Sequence, residues 1–140
     1  MSSQSGDLFV PEMWRGEIGL AGDPTSAREA RAFIRMALQQ RMAAEILQDA
    51  LLLASEMVSN VIRHAGTPLT LSVEIHRGYL RMTVTDGALP FDARVGPESE
   101  DGESGRGIAI IASVSRRWGV GSTPIGKSIW AELNTAPASR

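Results

Sequence analysis

The stretch from Leu51 to Ala65 constrains this chain most, because it reads as a helix with almost no outside. At about 100° per residue, Leu47, Leu51, Ala54, Val58, Val61 and Ile62 gather on one side as the apolar face of a core-packed helix. Glu56 and Asn60, one turn apart, point away from that face, yet Leu52, Leu53 and Met57 flank the same two polar residues. A helix that is apolar nearly all round belongs inside a fold, and its polar groups then need partners, since an unpaired buried charge costs on the order of several kcal/mol. The pattern points to a polar pocket served by Glu56 and Asn60. A basic partner for Glu56 and a loop contact for Asn60 would account for the same stripe, so the rest of the sequence has to decide.

Several chemistries can be set aside. The chain of 140 residues reads as one domain with a real core, and its 43% hydrophobic content is that of a globular protein. A net charge of -2 argues against a general nucleic-acid binder. There is no cysteine, hence no disulfide scaffold and no thiolate metal site, and the two histidines, His64 and His76, are too few for a zinc cluster. A metal here would be held by oxygen. No apolar run approaches the roughly 18 residues of a membrane span, and the serine-rich start lacks the regions of a signal peptide, so the expected location is the cytoplasm, with no membrane partner.

Residues 1–11 read as a flexible N-terminal arm, 12–134 as the folded domain and 135–140 as a C-terminal tail of small residues. Trp14, Gly16, Ile18 and Leu20 alternate with Arg15, Glu17 and Gly19, which predicts a first strand. Asp23-Pro24 predicts a helix start, with the carboxylate as N-cap and proline at the first helical position. Ala27, Ala30, Phe33, Ile34, Ala37 and Leu38 follow at helical spacing, and a short link from Gln40 to Ala44 leads to the second helix.

After Gly66-Thr67-Pro68 the period changes to two. Leu69, Leu71, Val73 and Ile75 share one face; Arg77-Gly78 turns the chain; Leu80, Met82 and Val84 return on the same face. Asp86 continues that inward series. A carboxylate there requires a buried partner or a ligand, although an aspartate that merely opens the turn Gly87-Ala88-Leu89-Pro90 satisfies the same spacing.

From Phe91 to Ser104 periodicity vanishes while Glu98, Glu100, Asp101 and Glu103 accumulate, which predicts a long mobile loop of the kind that serves as a lid. Gly105-Arg106-Gly107 then opens a helical pattern through Ile108, Ile111, Ala112 and Val114. Bare N–H groups at such a helix mouth, with the helix dipole and Arg106, make a phosphate cradle, although a Gly-x-Gly alone also makes a sharp turn. Two last strands are predicted over Trp118 to Ser122 and Ser128 to Leu133.

The order of these pieces carries a resemblance. Glu56-x-x-x-Asn60 with His64 one turn on, Asp86-Gly87 after a hairpin, Gly105-Arg106-Gly107, and Gly126-Lys127-Ser128-Ile129-Trp130 together resemble the GHKL (histidine-kinase-like) ATPase superfamily. They look most like its small anti-sigma-factor serine/threonine kinases of actinobacterial type. The likeness runs from Trp14 to Leu133. It implies an α/β (α+β) two-layer sandwich, the Bergerat fold, with a mixed, mainly antiparallel sheet and helices on one face. It also implies ATP and Mg²⁺ as cofactors. By the same resemblance Glu56 is the general base, Asn60 holds Mg²⁺ on the phosphates, Asp86 receives the adenine amino group and Ser128 supports the base; Arg63 and His64 sit near enough on the helix to shape the site, although His64 reads equally, and slightly better, as a satisfied core residue. Gly87, Gly105, Arg106 and Gly107 complete the nucleotide contacts. Where the superfamily's first glycine motif reads Asp-x-Gly-x-Gly, this chain has Ala88 and Pro90 instead. A complete sensor histidine kinase, with its phosphoacceptor segment, is not expected in 140 residues.

Two functions follow. In one, a homodimeric protein kinase sequesters a sigma factor or regulator and phosphorylates an antagonist protein. In the other, the chain is a catalytically silent interaction module that binds ATP as a structural ligand or not at all. The retained Glu56 favours the first, and the altered glycine motif the second.

Overall fold

The computed structural model describes residues 12–64, 67–86, 102–123 and 126–135. Strand β1 (Glu12–Leu20) leads to helices α1 (Ser26–Leu38) and α2 (Ala44–His64). The hairpin of β2 (Leu69–His76) and β3 (Tyr79–Asp86) follows, then helix α3 (Gly102–Val114), β4 (Arg117–Thr123) and β5 (Gly126–Asn134). The five strands form one sheet in the order β1-β2-β3-β5-β4. Every described pairing in it is antiparallel, so the parallel component of the expected mixed sheet does not occur among these residues.

Alternation decides which face of the sheet is covered. Leu69, Leu71, Val73 and Ile75 of β2 pair across with Asp86, Val84, Met82 and Leu80 of β3, and all eight are buried. Ile129, Ala131 and Leu133 extend the same face onto β5. α2 covers it, touching β3 and β5 below and α1 and α3 on either side. This central position is why the sequence of α2 is apolar nearly all round. Ala50, Leu51, Leu53, Ala54, Met57, Val58 and Val61 are all buried, and only Leu52 of the flanking residues turns outward, with 40% exposure.

The opposite sheet face is polar, as one-sided antiparallel sheets are. Glu132 is buried there beneath Arg81, Arg116 and Arg117, and Trp130 lies under the guanidinium of Arg81, 4.1 Å from the ring centroid.

Two boundaries differ from the sequence reading. α1 begins at Ser26, because Asp23 spends its side chain on a turn: Oδ1 accepts from the Thr25 N–H at 3.0 Å and from the Thr25 hydroxyl at 2.6 Å. Thr25 takes the N-cap position with no side-chain cap bond, and Pro24 precedes the helix. α3 begins at Gly102, so Gly105 and Gly107 lie inside its first two turns and not at its mouth. Glycine disfavours a helix interior by about 1 kcal/mol, but burial of Ile108 and Ile111 against the core outweighs it. Ala112, expected in the apolar pattern of this helix, is exposed. Of the predicted lid, Phe91 to Ser104, only its last three residues are described, and they are helical.

Candidate nucleotide site

The candidate residues converge on one end of the molecule because of chain direction. α2 finishes at His64, and β2 starts at Leu69, whose cross-strand partner is Asp86. The end of α2, one turn beyond Asn60, and the last residue of β3 therefore lie at the same end. β5 begins there too, with Lys127 opposite Asp86. α3 ends just before β4, and Arg117 of β4 pairs with Glu132 near the far end of β5. The C-terminus of α3 therefore lies toward the end of the sheet away from Asp86.

Asn60 is fully buried, and neither its Oδ1 nor its Nδ2 has a hydrogen-bond partner among the described residues. Native proteins rarely leave a buried amide in that state without a ligand, ion or water to complete it. One turn earlier, Glu56 is half-buried on the same stripe of α2. Asp86 is also fully buried, and its Oδ1 accepts a hydrogen bond from the Thr67 hydroxyl at 2.7 Å. A carboxylate accepting from a neutral hydroxyl in a buried setting is well placed to take a further donor from a ligand, since its two oxygens offer about four lone-pair positions.

Ser128 is not brought to this group. It pairs with Thr85, and residues directly opposite across an antiparallel pair share a face, so it lies on the far side of the sheet from Asp86. Lys127 occupies the position on the Asp86 side. The role of Ser128 comes from the resemblance alone; the alternation of Ile129, Ala131 and Leu133 against Ser128, Trp130 and Glu132 already puts Ser128 on the other face. Gly87 lies outside the described residues, as do the side chains of His64 and Arg106.

Thr67 is the residue that sequence reasoning missed. A signal for it existed: the two-residue turn Arg77-Gly78 fixes the hairpin register, which sets Leu69 against Asp86 and leaves Thr67 just before the paired strand. Gly22 stands behind it. With φ +90, Gly22 adopts a conformation that suits glycine, and a Cβ there would collide with the Thr67 carbonyl oxygen.

No group of three or more His, Cys, Asp or Glu able to hold a metal occurs among the described residues. The orphaned Asn60 oxygen does fit Mg²⁺, which is commonly held by one or two protein oxygens with phosphate and water completing an octahedron. No helix among the described residues is long and apolar enough to cross a membrane.

The sequence model of the family described as the histidine kinase-like ATPase domain matches residues 20–133. The chain belongs to that family. A search of curated proteins returned no match. Among solved structures, this histidine kinase-like ATPase domain is similar to the crystal structure of the RsbU and RsbW domains of Rv1364c from Mycobacterium tuberculosis, with a TM-score of 0.68 and 16% identity. The match covers 91% of the present chain and 34% of that one, so the domain spans about a third of the protein it resembles. At that identity the likeness speaks for the fold, which is the two-layer α+β arrangement of the GHKL ATPases.

Proposed function

We propose that this domain binds Mg·ATP at the Asn60–Asp86 end and acts as an anti-sigma-factor-type serine/threonine kinase. In this reading it sequesters a sigma factor or regulator and phosphorylates an antagonist protein. The observation that carries the reading is the fully buried Asn60 amide, unpartnered among the described residues and one turn from Glu56. The Asn60 oxygen would hold Mg²⁺, which when bound neutralises phosphate charge. Asp86, oriented by Thr67, would accept a hydrogen bond from the adenine amino group. Glu56 would take the proton of a partner's serine or threonine hydroxyl as its oxygen bonds to the γ-phosphorus and the bond to the bridging oxygen of ADP breaks. Such transfer asks mainly for positioning and charge neutralisation, and a carboxylate within reach of the hydroxyl completes the set. The likeness in fold to a structure that includes an RsbW domain is compatible with this reading, which we extend to a homodimer acting in the cytoplasm.

Titration calorimetry with ATP, with and without Mg²⁺, tests the binding step, and transfer of labelled γ-phosphate to antagonist-type proteins tests the chemistry. Absence of heat at millimolar ATP from folded protein would sink the reading. Binding without transfer to any candidate would favour the silent interaction module, which the sequence Gly87-Ala88-Leu89-Pro90 after Asp86 supports in its own right. Sedimentation velocity decides the oligomeric state.

A further inference from the structure

We propose that Thr67 is a specificity-determining residue of this site: by donating its only hydroxyl proton to Asp86, it makes the pair present acceptors to a bound purine, selecting a 6-amino group over a 6-oxo group. The inference rests on the nucleotide-binding reading above and adds a residue from outside its motifs. A hydroxyl has one proton and two lone pairs. In the structure that proton goes to Asp86 Oδ1 at 2.7 Å. What remains on Thr67 is acceptor capacity, beside a carboxylate that when ionised is acceptor only. An exocyclic amino group brings protons to such a pair, whereas a carbonyl oxygen brings a third acceptor and leaves buried groups mispaired. Without the Asp86 bond, the Thr67 hydroxyl could rotate and donate to the carbonyl, and discrimination would fall.

The bond is held from behind. Gly22 lies directly against the Thr67 carbonyl, and its own N–H donates to the Ser26 hydroxyl oxygen at 2.9 Å, with Ser26 fully buried in the first turn of α1. Pro68 follows Thr67 and narrows its backbone freedom. On the other side Leu69, buried and paired with Asp86, fixes the strand. The Thr67 hydroxyl is therefore set on Asp86 by the β1–α1 connection as much as by the sheet.

The test is calorimetric titration of ATP and GTP into the full chain, as wild type, Thr67→Val and Thr67→Ser, with Thr67→Ala as a second hydroxyl-deleting variant should valine disturb the fold. Thr67→Val or Thr67→Ala should lower the ATP-to-GTP preference roughly tenfold, chiefly through weaker ATP binding, while Thr67→Ser holds it within about twofold of wild type. A merely structural threonine would affect both nucleotides alike. If wild type prefers ATP and the preference survives loss of the hydroxyl, or is lost in Thr67→Ser, the role of Thr67 is overturned while nucleotide binding stands. If folded wild type binds neither nucleotide, both readings fall together.

Discussion

Glu132 Oε2 accepts a hydrogen bond from Arg81 Nη1 at 2.9 Å across the β3–β5 pairing, on the sheet face away from the helices. Glu132 is almost fully buried although its partners are not: the Arg81 side chain is 32% exposed, and Arg116 and Arg117, which approach Oε1 at 3.4 and 3.3 Å, are more exposed still. One carboxylate thus gathers three guanidiniums over a face that would otherwise be a row of like charges. Glu132→Ala should lower stability by about 1–3 kcal/mol, at or below the range for breaking a buried pair, because the released arginines can reach water. Urea denaturation measures this. An unchanged midpoint would mean that the cluster is solvated surface and contributes nothing.

Gly22 and Gly78 separate backbone strain from collision. Both have positive φ, +90 and +87, but a Cβ on Gly78 meets nothing within 4 Å, whereas one on Gly22 runs into the Thr67 backbone. Gly78→Ala should therefore cost on the order of 1–2 kcal/mol for the left-handed conformation alone. Gly22→Ala should cost clearly more, because the Thr67 segment must also move. Thermal unfolding of the two variants ranks them, and equal costs would show that the β1–α1 connection yields freely.

Asp23 titrates as a reporter of its turn. The Thr25 hydroxyl, followed by the Thr25 N–H, holds the Asp23 carboxyl below its ordinary value of 3.8. A depressed folded value means that the ionised carboxylate favours the folded state at pH above 3.8, and that this contribution is lost as pH falls through the lower folded value. Thr25→Ala removes the larger of the two bonds, so the Asp23 titration should move upward toward 3.8 in an NMR pH series. No movement would assign the shift to the backbone bond.

Much of this arrangement was legible in the residues themselves, where one period acted alone. The β2–β3 hairpin declares its turn, its register and its inward face, and Asp86 follows by parity to a fully buried position. α2 likewise declares that it is surrounded. The reading weakened wherever two local preferences competed. Asp23-Pro24 satisfies the rule for a helix start and equally that for an Asp turn, and the turn won because Thr25 supplies two donors to one carboxylate oxygen. The glycines of α3 argued for a helix mouth, while the core contacts of Ile108 and Ile111 extended the helix upstream. Ser128 has its expected role from the resemblance, while both the alternation of β5 and its pairing with β3 put it on the face away from Asp86. Thr67 drew no attention because a turn hydroxyl shows its purpose only once its acceptor is known.

The last prediction concerns the cost of Asn60. A fully buried amide with both polar atoms unpartnered among the described residues has given up its hydration for nothing that those residues supply, a penalty of roughly 1–3 kcal/mol for each group left unsatisfied. Met57, one turn back on the same side of the helix, is buried and apolar, so an apolar side chain at this position would meet a compatible neighbour. Asn60→Leu should then raise the stability of the ligand-free protein by about 1–2 kcal/mol, less whatever strain the extra volume brings. The same substitution should abolish the Mg²⁺-dependent part of ATP binding, because it removes the oxygen ligand. Glu56→Ala should behave differently, retaining most nucleotide and partner binding while losing on the order of 10²–10⁴-fold in phosphoryl transfer, the usual contribution of a general base. Denaturation of the free proteins, calorimetry with and without Mg²⁺, and transfer of labelled phosphate measure the three quantities on the same preparations. A gain in stability together with a loss of Mg·ATP binding is the signature of a residue kept for function against the preference of the fold. If Asn60→Leu destabilises the protein by several kcal/mol and leaves Mg·ATP binding intact, Asn60 is a structural residue and the pocket must be sought elsewhere.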